Sequence, residues 1–279
     1  MFLKMNRKIS SLSILIAIIF LFQACNQQNP LKEEQLTPKP AFWSNVWKVV
    51  QTVGADAGGA YIGAKMGMWY GGVLGPKGAA LGGVIGACIV GCWASYNAGK
   101  SLSIAQTVPP YKLDDQDITG IDSNNISFDD VGVIHNNILK ILLDNRESIT
   151  NENGEHDNYA IYLLAMNFFE DTIGINNPEN YFSYNNFCNL VNSFNEINTL
   201  EKLVDYLYIN ETNQTILDFL EYSLERFSYL ETVEDFQSEV IDLKSEASNL
   251  NITNDEKNSI FSFLEIANRS VSFWATNQN

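Results

Sequence analysis

The rhythm of apolar and polar positions changes several times along this chain. Residues 12–22, "LSILIAIIFLF", are an almost unbroken apolar run, followed by polar, proline-punctuated sequence to residue 40. In "GGAYIGAKMGMWYGGVLG", residues 58–75, Gly59, Gly63, Gly67, Gly71 and Gly75 then fall at every fourth position. A second row, Gly78, Gly82 and Gly86, has Gly83, Ala87 and Gly91 beside it. Between the rows lies "GPKG", residues 75–78, where a proline stops one helix and opens the next. The pattern predicts a helical hairpin, with arms at roughly 57–74 and 78–98.

Beyond a linker at 101–126, apolar residues return at intervals of three and four, as in Leu217, Leu220, Leu224 and Phe227. Seven helical segments read out of this region. They are "SFDDVGVIHNNILKILL", "DNYAIYLLAMNFF", "YFSYNNFCNLVNSF", "TLEKLVDYLYI", "TILDFLEYSLERFSYL", "TVEDFQSEVIDLKSEA" and "DEKNSIFSFLEIANRSVSFW". Ser127 with Asp130 has the spacing of a capping box. The predicted fold is all-α: an N-terminal glycine hairpin spanning 41–100 and a multi-helix domain spanning 127–279.

Glycine inside a helix costs about 1 kcal/mol relative to alanine. Repeating that cost at strict spacing implies that the missing side chains are needed. The second arm runs from Gly78 to Gly99 without a charge, bracketed by Lys77 and Lys100. At about 1.5 Å per residue it reaches about 33 Å, enough for a hydrocarbon core of about 30 Å. Helices in lipid gain nothing by burying leucine against leucine, and associate through close backbone contact along small residues. Gly59, Gly63, Gly67, Gly71, Gly75, Gly78, Gly82, Gly86 and Gly91 are therefore the candidate positions for helix packing in a membrane. Lys65 sits mid-arm, pointing away from the glycine row, which requires an interfacial first arm or a water-filled lumen. Trp43, Trp47, Trp69 and Trp93 suit either a membrane interface or packing onto the C-terminal half.

The first 25 residues carry Lys4, Arg7 and Lys8, no acid, the apolar run and then Gln23-Ala24-Cys25. This has the shape of a secretory signal. The small residue before a cysteine resembles a bacterial lipoprotein signal, which implies cleavage and lipidation of Cys25. Phe22 and Gln23 depart from the usual residues there. Residues 26–40 read as a disordered tether. No aspartate follows Cys25, so the expected place is the outer membrane or cell surface, with release from the cell as a further outcome.

Block 54–100 resembles the glycine-zipper segments of bacterial membrane-active peptides and toxins, including two-peptide bacteriocins. It is similar also to the glycine-zipper hairpins of small envelope lipoproteins. The likeness is one of pattern and covers under a fifth of the chain. Those lipoproteins are mostly much shorter, and the long acidic appendage here is a departure from them.

The formal net charge of −16 is distributed unevenly. Through residue 100 lysine and arginine outnumber Glu33, Glu34 and Asp56, so all the excess acid lies beyond. An acidic balance excludes a nucleic-acid footprint. Asp115, Asp117 and Gly120 match parts of a calcium loop, but Thr119 and Ile126 occupy its fifth and twelfth positions. Cys88 and Cys92 make an incomplete metal site, and Asp129, Asp130 and His135 read as surface or capping residues. No phosphate loop or nucleophile motif occurs, so no enzyme and no cofactor is read.

These features predict a secreted, lipid-anchored antibacterial toxin whose hairpin inserts into target membranes and permeabilises them. The polar stretch "DNRESITNENGEHDN", residues 144–158, offers Arg146 as a site of activating proteolysis. Partners implied are membrane lipid, further copies of the chain in the membrane, a protease, a target-cell receptor and an immunity protein. Two alternatives stand beside this reading. One is a non-toxic envelope lipoprotein that oligomerises in the outer membrane; the other is a soluble helical binding lipoprotein with the hairpin buried.

Overall fold

The computed structural model describes residues 41–101, 118, 120–123, 125–150, 155–194, 206–207, 211, 213–230 and 232–276. The signal segment, Cys25, the tether and most of the linker lie outside these residues, as do the side chains of Trp43 and Trp47. Among the described residues the chain is all-α, and the only pairing of extended backbone is an isolated bridge between Thr150 and His156.

Helix α1 spans Ala41–Gly71 and α2 spans Pro76–Ser101, joined by a 3-10 turn at Gly72–Leu74. The hairpin forms as the glycine spacing predicts, although its first arm begins well before the expected residue 57. Gly75 stops the turn at φ 86° and Pro76 opens α2, a position that needs no amide hydrogen.

The C-terminal helices follow the predicted segments closely. They are α3 Val131–Asp144, α4 Asn158–Asn167, α5 Tyr184–Phe194, α6 Gln214–Ser228, α7 Val233–Ser248 and α8 Asn254–Thr276. Segment "TLEKLVDYLYI" lies largely outside the described residues. Side-chain caps fix several starts. Asp157 accepts from the amides of Tyr159 and Ala160, Asn213 from Thr215, and Thr232 from Asp235. Thr253 and Glu256 form a full capping box, with both reciprocal bonds made. At Asp130 the box takes a different form: its carboxylate accepts from the amide and hydroxyl of Ser127.

Packing departs from the expected organisation. The hairpin is the centre of the molecule, with α8 laid along α1 and α3 along α2. Residues from Ala41 onward form one compact unit. The change of composition near residue 100 therefore separates two kinds of sequence and not two packing units. One apolar core runs from Val84 and Ile85 on α2 through Ile134 and Ile138 on α3 to Phe263 and Ile266 on α8. Phe227, Phe236 and Phe263 stack within it, bringing α6, α7 and α8 together. Leu217, Leu220, Leu224 and Phe227, picked out by their spacing, are all buried.

Candidate functional site

Along the facing ridges of α1 and α2 there is no room for a side chain. A Cβ on Gly63 would stand 2.2 Å from the carbonyl oxygen of Gly86. On Gly67 it would stand 2.0 Å from that of Gly82, and on Gly71 2.1 Å from that of Gly78. The reverse contacts are as close: Gly78, Gly82 and Gly86 meet the carbonyls of Gly71, Gly67 and Gly63 at 2.4, 2.3 and 2.2 Å. Gly59 extends the row, its Cβ position 2.9 Å from Val90 O and Ala94 Cβ. These seven glycines let two backbones touch for about four helical turns.

Two predicted positions fall outside the ridge. Gly75 meets nothing within 4 Å and serves the left-handed turn. Gly91 lies beside the row, its Cβ position 3.2 Å from the carbonyl oxygen of Asp56 on α1 and from His135, and 3.3 Å from Ile266. It admits α3 and α8 to the back of the hairpin. Gly75 continues the spacing of the first row and Gly91 that of the neighbouring row through Gly83 and Ala87, but spacing does not say which neighbour a glycine meets. Gly132 on α3 went unnoticed because it is solitary in sequence. A Cβ there would lie 2.5 Å from the carbonyl oxygen of Glu265, so it sets the α3–α8 approach.

The outer faces of the hairpin are covered by the other helices. Residues 81–93 of α2 are all buried. The apolar stretch Pro76–Ala98 is long enough to cross a membrane, yet 83% of its most apolar window is buried within the protein. Cys88 and Cys92 direct their thiols at the carbonyls of Val131 and His135 on α3, at 3.5 and 3.1 Å. His135 is fully buried, and burial lowers its pKa to about 4, so the ring is neutral. Asp129 pairs instead with Lys244 and Asp130 with Ser127, so the three do not converge.

Two polar clasps tie the hairpin to the shell. Asp56 on α1 is fully buried and accepts hydrogen bonds from Ser270 and from the indole of Trp274, both on α8. Burial raises its pKa to about 7, against the lowering effect of these donors and of Ser95. The second clasp accommodates Lys65 without lipid or lumen. Its ammonium lies 2.7 Å from Glu211, which also accepts from the Tyr61 hydroxyl and from the amide of Asn213. Burial works to raise the Glu211 pKa, but these donors hold it below the ordinary range.

The tryptophans divide. Trp93 is buried and donates to Asn158 at 3.0 Å, whereas Trp69 is 70% exposed at the hairpin tip. Arg146 stands exposed in the turn after α3, whose ends are held by bonds from Ser148 N to Asn145 O and from the Thr150 hydroxyl to Arg146 O.

Among the described residues no group of three or more metal-ligating side chains converges. No protein-family model, curated protein or solved structure matches this chain.

Proposed function

We propose that this chain is a lipid-anchored antibacterial protein that carries a membrane-permeabilising hairpin in latent form. The observation that supports this reading is a division of contacts. The two arms hold each other through backbone, whereas the shell holds them through their outer faces. A hairpin built in this way keeps its own packing when the shell leaves. It would then present to lipid a largely apolar surface, interrupted by Asp56 and Lys65 on the first arm, where small-residue contacts drive association. The acidic helices keep that surface covered until a target, a receptor or a protease acting near Arg146 displaces them.

The second reading, a helical binding protein whose core is the hairpin, is favoured by the buried clasps at Asp56 and Glu211. Such groups are costly to expose to lipid and suit a permanently closed domain. A cleft of about 290 Å³ beside the second clasp, lined by Tyr61, Lys65, Tyr206 and Glu211, would be its binding place.

Bulky replacements at Gly63 or Gly82 do not separate the two, because the same ridges hold the folded molecule. Trp274→Ala does, since it loosens α8 from α1 without touching a ridge. The latent-toxin reading expects lower thermal stability together with faster dye release from vesicles. Lower stability with no dye release, and no killing of related strains, would reject it in favour of the binding protein.

A further inference from the structure

The shell leaves one part of the hairpin uncovered. Trp69, Val73 and Leu74 are 70%, 88% and 55% exposed and stand together around the connection between the arms. Gly72, Pro76 and Lys77 beside them are exposed as well. Trp69 meets the edge of Tyr70 at 4.8 Å between ring centres. Other exposed apolar side chains, such as Tyr229 and Ile241, are scattered singly over the surface, which needs no explanation. Three contiguous ones on a glycine-supported tip do.

From these residues we infer that the folded protein docks on a lipid bilayer through the hairpin tip, with its shell still closed. Trp69 has the amphipathic ring that settles at headgroup depth, and Val73 and Leu74 lie where they would enter the acyl boundary. Charge selects the same occupant. The chain is strongly acidic overall, yet no acid occurs between Asp56 and Asp114, and the tip carries Lys77. It is the part of an anionic molecule that can approach lipid phosphates. Asp255 stands across a cavity lined also by Gly72, Gly75 and Pro76, which the exposed side chains of Trp69, Val73 and Leu74 do not line. A second copy of the chain fits less well. Three side chains supply less than the roughly 800 Å² per partner of a stable interface, and two tips face to face would oppose their lysines.

This docking deepens the latent-toxin reading by naming its first contact with lipid, but it needs no release of the hairpin. The test uses the full chain with vesicles of phosphatidylethanolamine and phosphatidylglycerol at 3:1, containing brominated lipid to quench tryptophan. Dye release is followed in the same vesicles. Trp69→Phe should remove a component of the quenching. Val73→Asp with Leu74→Asp should remove the same component, with circular dichroism unchanged, because both side chains are exposed and neither belongs to the apolar core. Equal quenching of wild type and both variants overturns the proposal, as does concentration-dependent dimerisation that the tip variants abolish. Tip-dependent quenching without dye release keeps the docking and rejects permeabilisation.

Discussion

Gly63 and Gly86 each face the other's carbonyl oxygen, 2.2 Å from where a Cβ would stand. Alanine at either position must push the arms apart against the shell. Gly63→Ala should therefore lose at least about 3 kcal/mol, the upper part of the range for overpacking. Gly72→Ala is the control, since its Cβ would find only Ala79, at 4.0 Å. It should be neutral, or stabilise by up to about 1 kcal/mol through lower unfolded-state entropy. Urea midpoints of the two variants check this; equal midpoints would remove the ridge from the account.

Asp56 has its folded pKa raised to about 7 from an ordinary 3.8. Its contribution to folding is therefore full below about pH 3.8 and is lost as pH rises towards 7. A separation of that size corresponds to on the order of 4 kcal/mol. Asp56→Asn cannot titrate, so the stability difference between wild type and variant should move in the variant's favour from pH 4 to pH 8. Parallel stability–pH curves would mean that the carboxyl is ionised throughout or reaches water.

The Lys65–Glu211 clasp is asymmetric. Lys65 has 41% of its side chain exposed and Glu211 only 3%. Removing the lysine leaves a buried carboxylate short of its cation, whereas removing the acid lets the lysine turn to water. Lys65→Met should therefore destabilise more than Glu211→Gln, by about 1 kcal/mol or more, in keeping with the cost of an uncompensated buried charge. Because the Glu211 pKa is depressed, its contribution is present above the ordinary carboxylate range and fades as pH falls below it. Thermal melts of both variants at pH 7 and pH 4 read out both effects.

Arg146 is exposed between α3 and α4, whereas Arg226 is paired with Glu239 and Arg269 lies within α8. An arginine-specific protease should cut first after Arg146. The fragments should stay together on size exclusion, since α8 remains packed on α1 and α3 on α2 across the break. A nick alone should therefore give no dye release, and separation by mild denaturant should be needed to obtain it. Immediate release on cutting would show that the connection itself holds the shell closed.

Much of the fold was legible along the chain. The helix-wise return of Leu217, Leu220, Leu224 and Phe227, and the caps at Thr232 and Thr253, are local properties, set by backbone geometry within a turn or two. The hairpin was legible too, because glycines at every fourth position line one face of a helix, and Pro76 can only restart one. Less legible was what each glycine meets. Gly75 keeps the period of the first row and Gly91 that of the row beside the second, yet one makes a turn and the other admits neighbouring helices. Lys65 looked out of place because its partner, Glu211, is far away in sequence.

Local sequence is enough to make this protein helical and to require that two of its helices touch through bare backbone. Those outcomes depend on short-range sterics and on the absence of side chains, which any reader of the chain can see. What covers the hairpin is set by long-range packing, because an all-apolar helix is satisfied equally by lipid and by other helices. It resolved that choice through contacts distant in sequence, Asp56 with Ser270 and Trp274, and Lys65 with Glu211. It also left Trp69, Val73 and Leu74 exposed at the tip among the described residues.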